Sequence, residues 1–167
     1  MKYYFCKQEE KNYCVPACLQ SIIHRRTGEI LEQKEIFDKL EPAERGVFLN
    51  EDNLNKCLGE FGLQSKYYHP KRSMYDVDEV IGYHFKVNTD IIFAFYSDIL
   101  FGKEKKLNHA ALVAKFNHTS LCILDPEFNN LTGIKYGDIN DITHNNGQSG
   151  FYLINTPSNF KNIDHLF

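Results

Sequence analysis

Apolar residues in the first half of the chain recur at the spacing of helices. After Cys14 they follow a helical period as far as Gly28, a residue type that commonly ends helices. The same spacing predicts three further helices, over residues 31–40, 51–61 and 77–85. Pro42 closes the first of these three, and Gly62 is a C-cap candidate for the second. The first half is therefore predicted to be helical.

The second half of the chain has the pattern of β-strands. Residues 91–96 are a dense run of strand-forming side chains, and residues 150–154 form a similar last run. Between them, residues 110–116 and 120–124 are separated only by a short polar link, which predicts a hairpin. Helices followed by an antiparallel meander indicate an α+β domain. Because no linker or repeat divides the chain, we expect a single domain over residues 1–167.

Composition and charge exclude several classes of function. The net charge is −3, and the only lysine cluster, Lys103, Lys105 and Lys106, is interpreted as a solvated loop, so no nucleic-acid partner is expected. The longest apolar run, 91–96, is too short to span a bilayer, and no signal peptide is visible. Five cysteines at irregular spacing do not suggest a disulfide framework. The expected location is therefore a reducing cytosol.

Cys14 has the sequence context of a reactive thiol. It lies just before a helical pattern, and Pro16 follows at a position suited to the first turn of a helix. A thiol at a helix N-terminus faces the positive end of the helix dipole, which favours the nucleophilic thiolate. Cys57 and Cys122 lie in apolar periodic runs and are interpreted as core residues.

A thiolate nucleophile needs a base, and the predicted hairpin supplies a candidate. His109 begins one strand of the hairpin, and Asp125 ends the other. If the strands pair around their short turn, the imidazole and the carboxylate meet at the open end of the hairpin, where Asp125 would orient the ring. Gln8, on a short polar segment before Cys14, is the candidate for an oxyanion donor together with the backbone N–H of Cys14.

These segments resemble the bacteriocin-processing peptidases of family C39, a branch of the papain-like cysteine proteases. The resemblance lies in Gln8-x5-Cys14 followed by Ala17-Cys18-Leu19, in the segment that begins at His109, and in Ile123-Leu124-Asp125-Pro126. It covers roughly residues 5 to 156. It implies a papain-like fold, with N-terminal helices packed on a C-terminal antiparallel sheet. It also implies a cysteine peptidase without a cofactor, in which Cys14 is the nucleophile, His109 the base, Asp125 the orienting residue and Gln8 the oxyanion residue.

The chain departs from this family in two respects. The family usually has glycine after the nucleophile, whereas Val15-Pro16 follows Cys14 here. Many members are N-terminal domains of ABC transporters and cut leader peptides after a double glycine, but no transmembrane segment or Walker motif follows in this chain. We therefore expect a stand-alone domain that acts on a peptide or protein, for which association with an export system is one option.

Other interpretations of the same residues remain open. An acyltransferase, a transglutaminase or a deamidase would use the same thioester chemistry, and a non-catalytic peptide-binding module would use the same cleft. A metal site built from Cys14 and Cys18 with Cys6 or His24 is disfavoured, because the spacing is atypical and a second ligand pair is missing. The other histidines are interpreted as surface or structural residues.

Overall fold

The computed structural model describes residues 3–4, 7–44, 46–72, 76–97, 100, 108–128, 130–143 and 148–161. Several residues considered above lie outside these ranges. They are Cys6, His144, His165 and the cluster of Lys103, Lys105 and Lys106.

The four predicted helices are confirmed, with small differences at their ends. They are α1 (Cys14–Thr27), α2 (Gln33–Lys39), α3 (Glu51–Leu58) and α4 (Val77–Lys86). Gly28 ends α1 with a left-handed φ of 81°. Helix α2 begins two residues later than predicted, because Glu32 is still extended. The last predicted turn of the third helix is a 3-10 helix, Gly59–Phe61, which Gly62 ends at a φ of 66°.

The chain also forms a short hairpin and a six-stranded antiparallel sheet within the described ranges. The hairpin is β1 (Pro42–Ala43) with β2 (Gly46–Val47). The sheet strands are β3 (Gln64–Tyr68), β4 (Asp90–Tyr96), β5 (Asn108–Phe116), β6 (Ser120–Asp125), β7 (Asn130–Lys135) and β8 (Gly150–Asn155). Two short helices are α5 (Tyr136–Ile142) and α6 (Pro157–Lys161).

The strand order is β3-β8-β4-β5-β6-β7, so the predicted meander is correct only for β4 to β6. The last strand, β8, lies between β3 and β4 and pairs with both. The two outer strands, β3 and β7, were not predicted from the sequence. Their sequences, QSKYY and NLTGIK, are too polar to form an apolar run. Outer strands bury less of their surface, so a weak pattern suffices there.

Helices cover both faces of the sheet, which explains why β4 is apolar almost throughout. Ile92 and Ala94 pack into a core with α1, α2 and α3. Ile91, Phe93 and Phe95 alternate with them and pack on the opposite face, in a core shared with α4, α5 and α6. The predicted α+β class is confirmed, and the N-terminal helices α1 to α3 cover one face. No helix in the described part of the chain is long and apolar enough to cross a membrane.

Candidate active site

Cys14 is the first residue of α1, and its thiol is free and partly exposed. The first α-helical hydrogen bond runs from the Ala17 N–H to the Tyr13 carbonyl, at 2.9 Å. Pro16 therefore lies in the first turn, where backbone N–H groups have no partner within the helix. Pro16 therefore removes no hydrogen bond from α1 and leaves the N–H of Cys14 in place.

His109 is the second residue of β5 and is held by its neighbours in the sheet. It pairs in register with Phe95 of β4, and the two rings make an edge-to-face contact with centroids 5.6 Å apart. Only 7% of His109 is exposed. A rigid sheet thus fixes the ring at the end of a strand, where one side can face a cleft.

Asp125 is the last residue of β6 and lies beside His109, as the hairpin spacing predicts. Its Oδ1 accepts a hydrogen bond from Nε2 of His109 at 2.8 Å, and the carboxylate is fully buried. The same oxygen accepts the backbone N–H of Glu127, also at 2.8 Å, and that of Phe128 at 3.4 Å. The turn after β6 therefore fixes the Asp125 carboxylate, which in turn orients the His109 ring.

Cys14 lies on the same cleft as the imidazole that Asp125 orients. Burial disfavours the charged ring, but hydrogen bonds with Asp125 and with the Cys14 side chain, together with their charges, raise the pKa of His109 to about 10. Because Nε2 faces Asp125, the ring nitrogen left for the sulfur is Nδ1. A thiol, an imidazole and a carboxylate thus lie together in one site, and nucleophilic catalysis can use these three groups.

A cleft of about 350 Å³ opens over Cys14 and His109. The β1–β2 hairpin forms one wall, and Gly46 allows it to approach closely. Gly46 has a φ of 117°, and a Cβ there would lie 3.1 Å from the Asn12 carbonyl oxygen. The other lining residues are Asn12, Val15, Ala43, Glu44, Val47, Phe48, Leu49, Ala94, Asn108, Ala110 and Gln148.

Three amide side chains that line this cleft were not predicted from the sequence: Asn12, Asn108 and Gln148. Asn108 donates a hydrogen bond from Nδ2 to Oε1 of Gln148 at 3.0 Å. Asn12 and Asn108 lie within two residues of Cys14 and His109, so their positions in the sequence were a usable signal. Gln148 had no such signal, because its place depends on how β8 inserts into the sheet.

Gln8 lies beside the Asp125 turn and is not among the residues that line the cleft. Its backbone N–H donates to the carbonyl of Pro126 at 3.1 Å, and its side-chain Nε2 donates to the carbonyl of Lys11 at 3.1 Å. An amide group has two N–H donors, so the bond to Lys11 leaves one of them. The oxyanion role of Gln8 stays a prediction.

The remaining candidate residues have structural surroundings. Cys57 is fully buried, and burial raises the pKa of its thiol to about 11. Cys122, which was expected in the core, is only partly buried. Among the histidines, His69 and His84 are buried, and His118 is exposed. In the ranges that the structure describes, no group of three or more His, Cys, Asp or Glu side chains could hold a metal ion.

Comparison with known proteins gives matches in structure. No family model matches this sequence, and no curated protein sequence matches it. The fold is similar to the peptidase domain of Streptococcus ComA, a bifunctional ABC transporter involved in quorum sensing. The TM-score is 0.62 at 15% identity, over 93% of this chain and 98% of that domain. It is also similar to a double glycine motif protease from an AMS/PCAT transporter, solved with its leader peptide, with a TM-score of 0.58 at 16% identity, over 91% and 89% of the two chains.

The chain has the fold of a C39 peptidase domain. The papain-like fold implied by the sequence resemblance is thereby confirmed. At identities of 15% and 16%, the similarity concerns the fold and leaves the roles of individual residues as predictions.

Proposed function

We propose that this protein is a thiol peptidase that cleaves a peptide or protein amide bond, with Cys14 as nucleophile. One observation carries the proposal: Cys14 and His109 line the same cleft, and the Asp125 carboxylate accepts a hydrogen bond from His109. His109 is the base, and Asp125 orients it. Gln8 and the backbone N–H of Cys14 are the proposed oxyanion donors. The reaction needs no cofactor.

In the proposed reaction, the Cys14 thiolate attacks the carbonyl carbon of the substrate and forms a C–S bond, while the carbonyl electron pair moves onto oxygen. When the oxyanion collapses, the C–N bond breaks and His109 gives its proton to the departing amine. His109 then takes a proton from water, whose oxygen attacks the thioester. The C–S bond breaks, which releases the carboxylic acid and regenerates the thiolate.

We propose a leader-type peptide with small residues at the cleavage site as the substrate. Four small residues line the cleft, Ala43, Gly46, Ala94 and Ala110, so the space next to the sulfur suits a chain with little side-chain bulk. A double glycine motif protease is one of the proteins with this fold. Association with an export system and a cytosolic location belong to the same proposal. A peptide with an internal Gly-Gly pair should be cut faster than the same peptide with Leu-Leu.

The reactivity of the sulfur tests the proposal. Iodoacetamide should modify Cys14 fastest of the five cysteines, and p-nitrophenyl acetate should give a burst of one p-nitrophenolate per chain as the sulfur is acylated. Cys14→Ala should lower this acylation by on the order of 10³-fold or more. Cys122→Ala, which removes another partly exposed thiol, is the matched control and should keep the burst.

Two outcomes would contradict the proposal or change the reaction class. If iodoacetamide labels every cysteine at the same slow rate, Cys14 is not an activated nucleophile. If a peptide substrate is incubated with methylamine and mass spectrometry finds the amide product in place of the acid, the protein is an acyltransferase that uses the same thioester.

A further inference from the structure

The backbone around Gln8 is held from two sides by hydrogen bonds. Gln33, the first residue of α2, donates from Nε2 to the Lys7 carbonyl at 2.8 Å, and its Oε1 accepts the Glu9 N–H at 2.9 Å. From the other side, the Gln8 N–H donates to the carbonyl of Pro126 at 3.1 Å. Gln33 therefore holds the residues on both sides of Gln8, and the turn after β6 holds the backbone of Gln8 itself.

The buried side chain of Gln33 acts as a fixed clamp on the backbone of residues 7 and 9. Only 1% of its surface is exposed, and its second Nε2 proton is used by Oε1 of Gln20 at 3.1 Å. Gln20 in turn donates to the Leu31 carbonyl. A buried amide whose donors and acceptor are all used has one favourable orientation, because turning it would leave polar groups unpaired.

We propose that Gln33 is a positioning residue for Gln8, and that it holds the Gln8 amide for the oxyanion formed at Cys14. This inference rests on the proposed function. Gln33 makes hydrogen bonds to the backbone of both neighbours of Gln8, and these bonds do not use the side chain of Gln8. It ties that segment to α2, while the bond to Pro126 ties it to the turn that holds Asp125. The backbone at residue 8 thus connects two parts of the proposed site, the oxyanion donor and the carboxylate behind His109.

Two reagents that attack the same sulfur separate positioning from general structure. Iodoacetamide alkylation is a direct displacement that forms no oxyanion, whereas acylation by p-nitrophenyl acetate passes through one. Gln33→Leu should therefore slow acylation by about 10–100-fold and leave alkylation of Cys14 unchanged. Gln8→Ala should slow acylation by a similar factor. The double variant should be no slower than Gln8→Ala, because the two residues act through one amide.

Two further variants complete the experiment. Gln20→Leu is the matched control: it disrupts the same buried network but leaves both bonds from Gln33 to residues 7 and 9, so acylation should be slowed much less than in Gln33→Leu. Gln33→Met removes the bonds to Lys7 and Glu9 with an uncharged side chain of nearly the same length. It should slow acylation as Gln33→Leu does, and it serves as the second variant where Gln33→Leu fails to fold.

Several results would overturn the inference. One is wild-type acylation in both Gln33 variants, and another is a double variant whose loss is the product of the single losses. Parallel loss of alkylation and acylation in both Gln33 variants would assign Gln33 a purely structural role. If the wild-type protein gives no burst at all, the proposed function fails first and the inference fails with it.

Discussion

Two histidines are buried in different regions of this protein, and their surroundings favour opposite charges. His109 lies at the open end of the β5–β6 hairpin, and its pKa is raised to about 10. His84 lies on the buried side of α4, and burial lowers its pKa to about 4. Burial acts in the same direction on both rings, since it disfavours the charged form.

The difference comes from the groups that face each ring. Nε2 of His109 contacts the Asp125 carboxylate, and the Cys14 side chain contacts the same ring. Nδ1 of His84 contacts the neutral hydroxyl of Thr89 at 3.2 Å. Desolvation therefore prevails at His84, and the carboxylate and the sulfur reverse it at His109. Burial alone therefore does not distinguish a catalytic histidine from a structural one, and the groups that face His109 support its proposed role.

The largest expected effect follows from removal of the charge behind His109. Asp125→Asn keeps an oxygen that can accept the Glu127 N–H, so the turn should survive, but it removes the negative charge. We expect the pKa of His109 to fall, and acylation by p-nitrophenyl acetate to slow by about 10²–10⁴-fold. NMR titration of His109 and burst kinetics measure the two effects.

Asp138→Asn, which removes an exposed carboxylate on α5, is the control and should change neither quantity. An Asp125→Asn variant that acylates at the wild-type rate would show that the carboxylate only packs against the ring.

A smaller effect is expected at His84, on stability. The folded-state pKa of about 4 lies below the ordinary value of 6.5, so between these pH values the unfolded chain binds a proton that the folded protein does not. The neutral state of His84 costs no stability above pH 6.5. As the pH falls to about 4, the free energy of unfolding decreases by about 3 kcal/mol on account of this residue.

Urea unfolding between pH 4 and 7 measures this loss. His84→Gln should flatten the pH dependence relative to the wild type, and His118→Gln, on the surface, should not. If both variants keep the wild-type pH dependence of the free energy of unfolding, the neutral state of His84 does not contribute to that dependence.

The sequence predicted the fold wherever local patterns were strong. The helical period after Cys14 and the apolar run in β4 survive in the structure because packing reinforces them. The outer strands β3 and β7 could not be found this way, and neither could the insertion of β8 between β3 and β4. Strand order depends on contacts between segments far apart in the chain, which no local pattern records.

The candidate site was predictable to a similar degree. The pairing of His109 with Asp125 follows from a short hairpin, in which the start of one strand lies beside the end of the next. The clamp of Gln33 on residues 7 and 9 could not be predicted, because it joins two segments about 25 residues apart through a buried side chain that resembles any polar residue at the start of a helix.

The smallest expected effect tests the contact between Cys14 and His109 directly. The sulfur contributes a hydrogen bond and a charge interaction to the raised pKa of His109, and Asp125 contributes the same two kinds. Cys14→Ala should therefore lower the pKa of His109 but leave it above that of His84, because the carboxylate remains. NMR titration of the wild type, Cys14→Ala and Cys122→Ala measures the difference. If the pKa of His109 does not change in Cys14→Ala, the sulfur does not reach the ring in solution, and the proposed nucleophile loses its base.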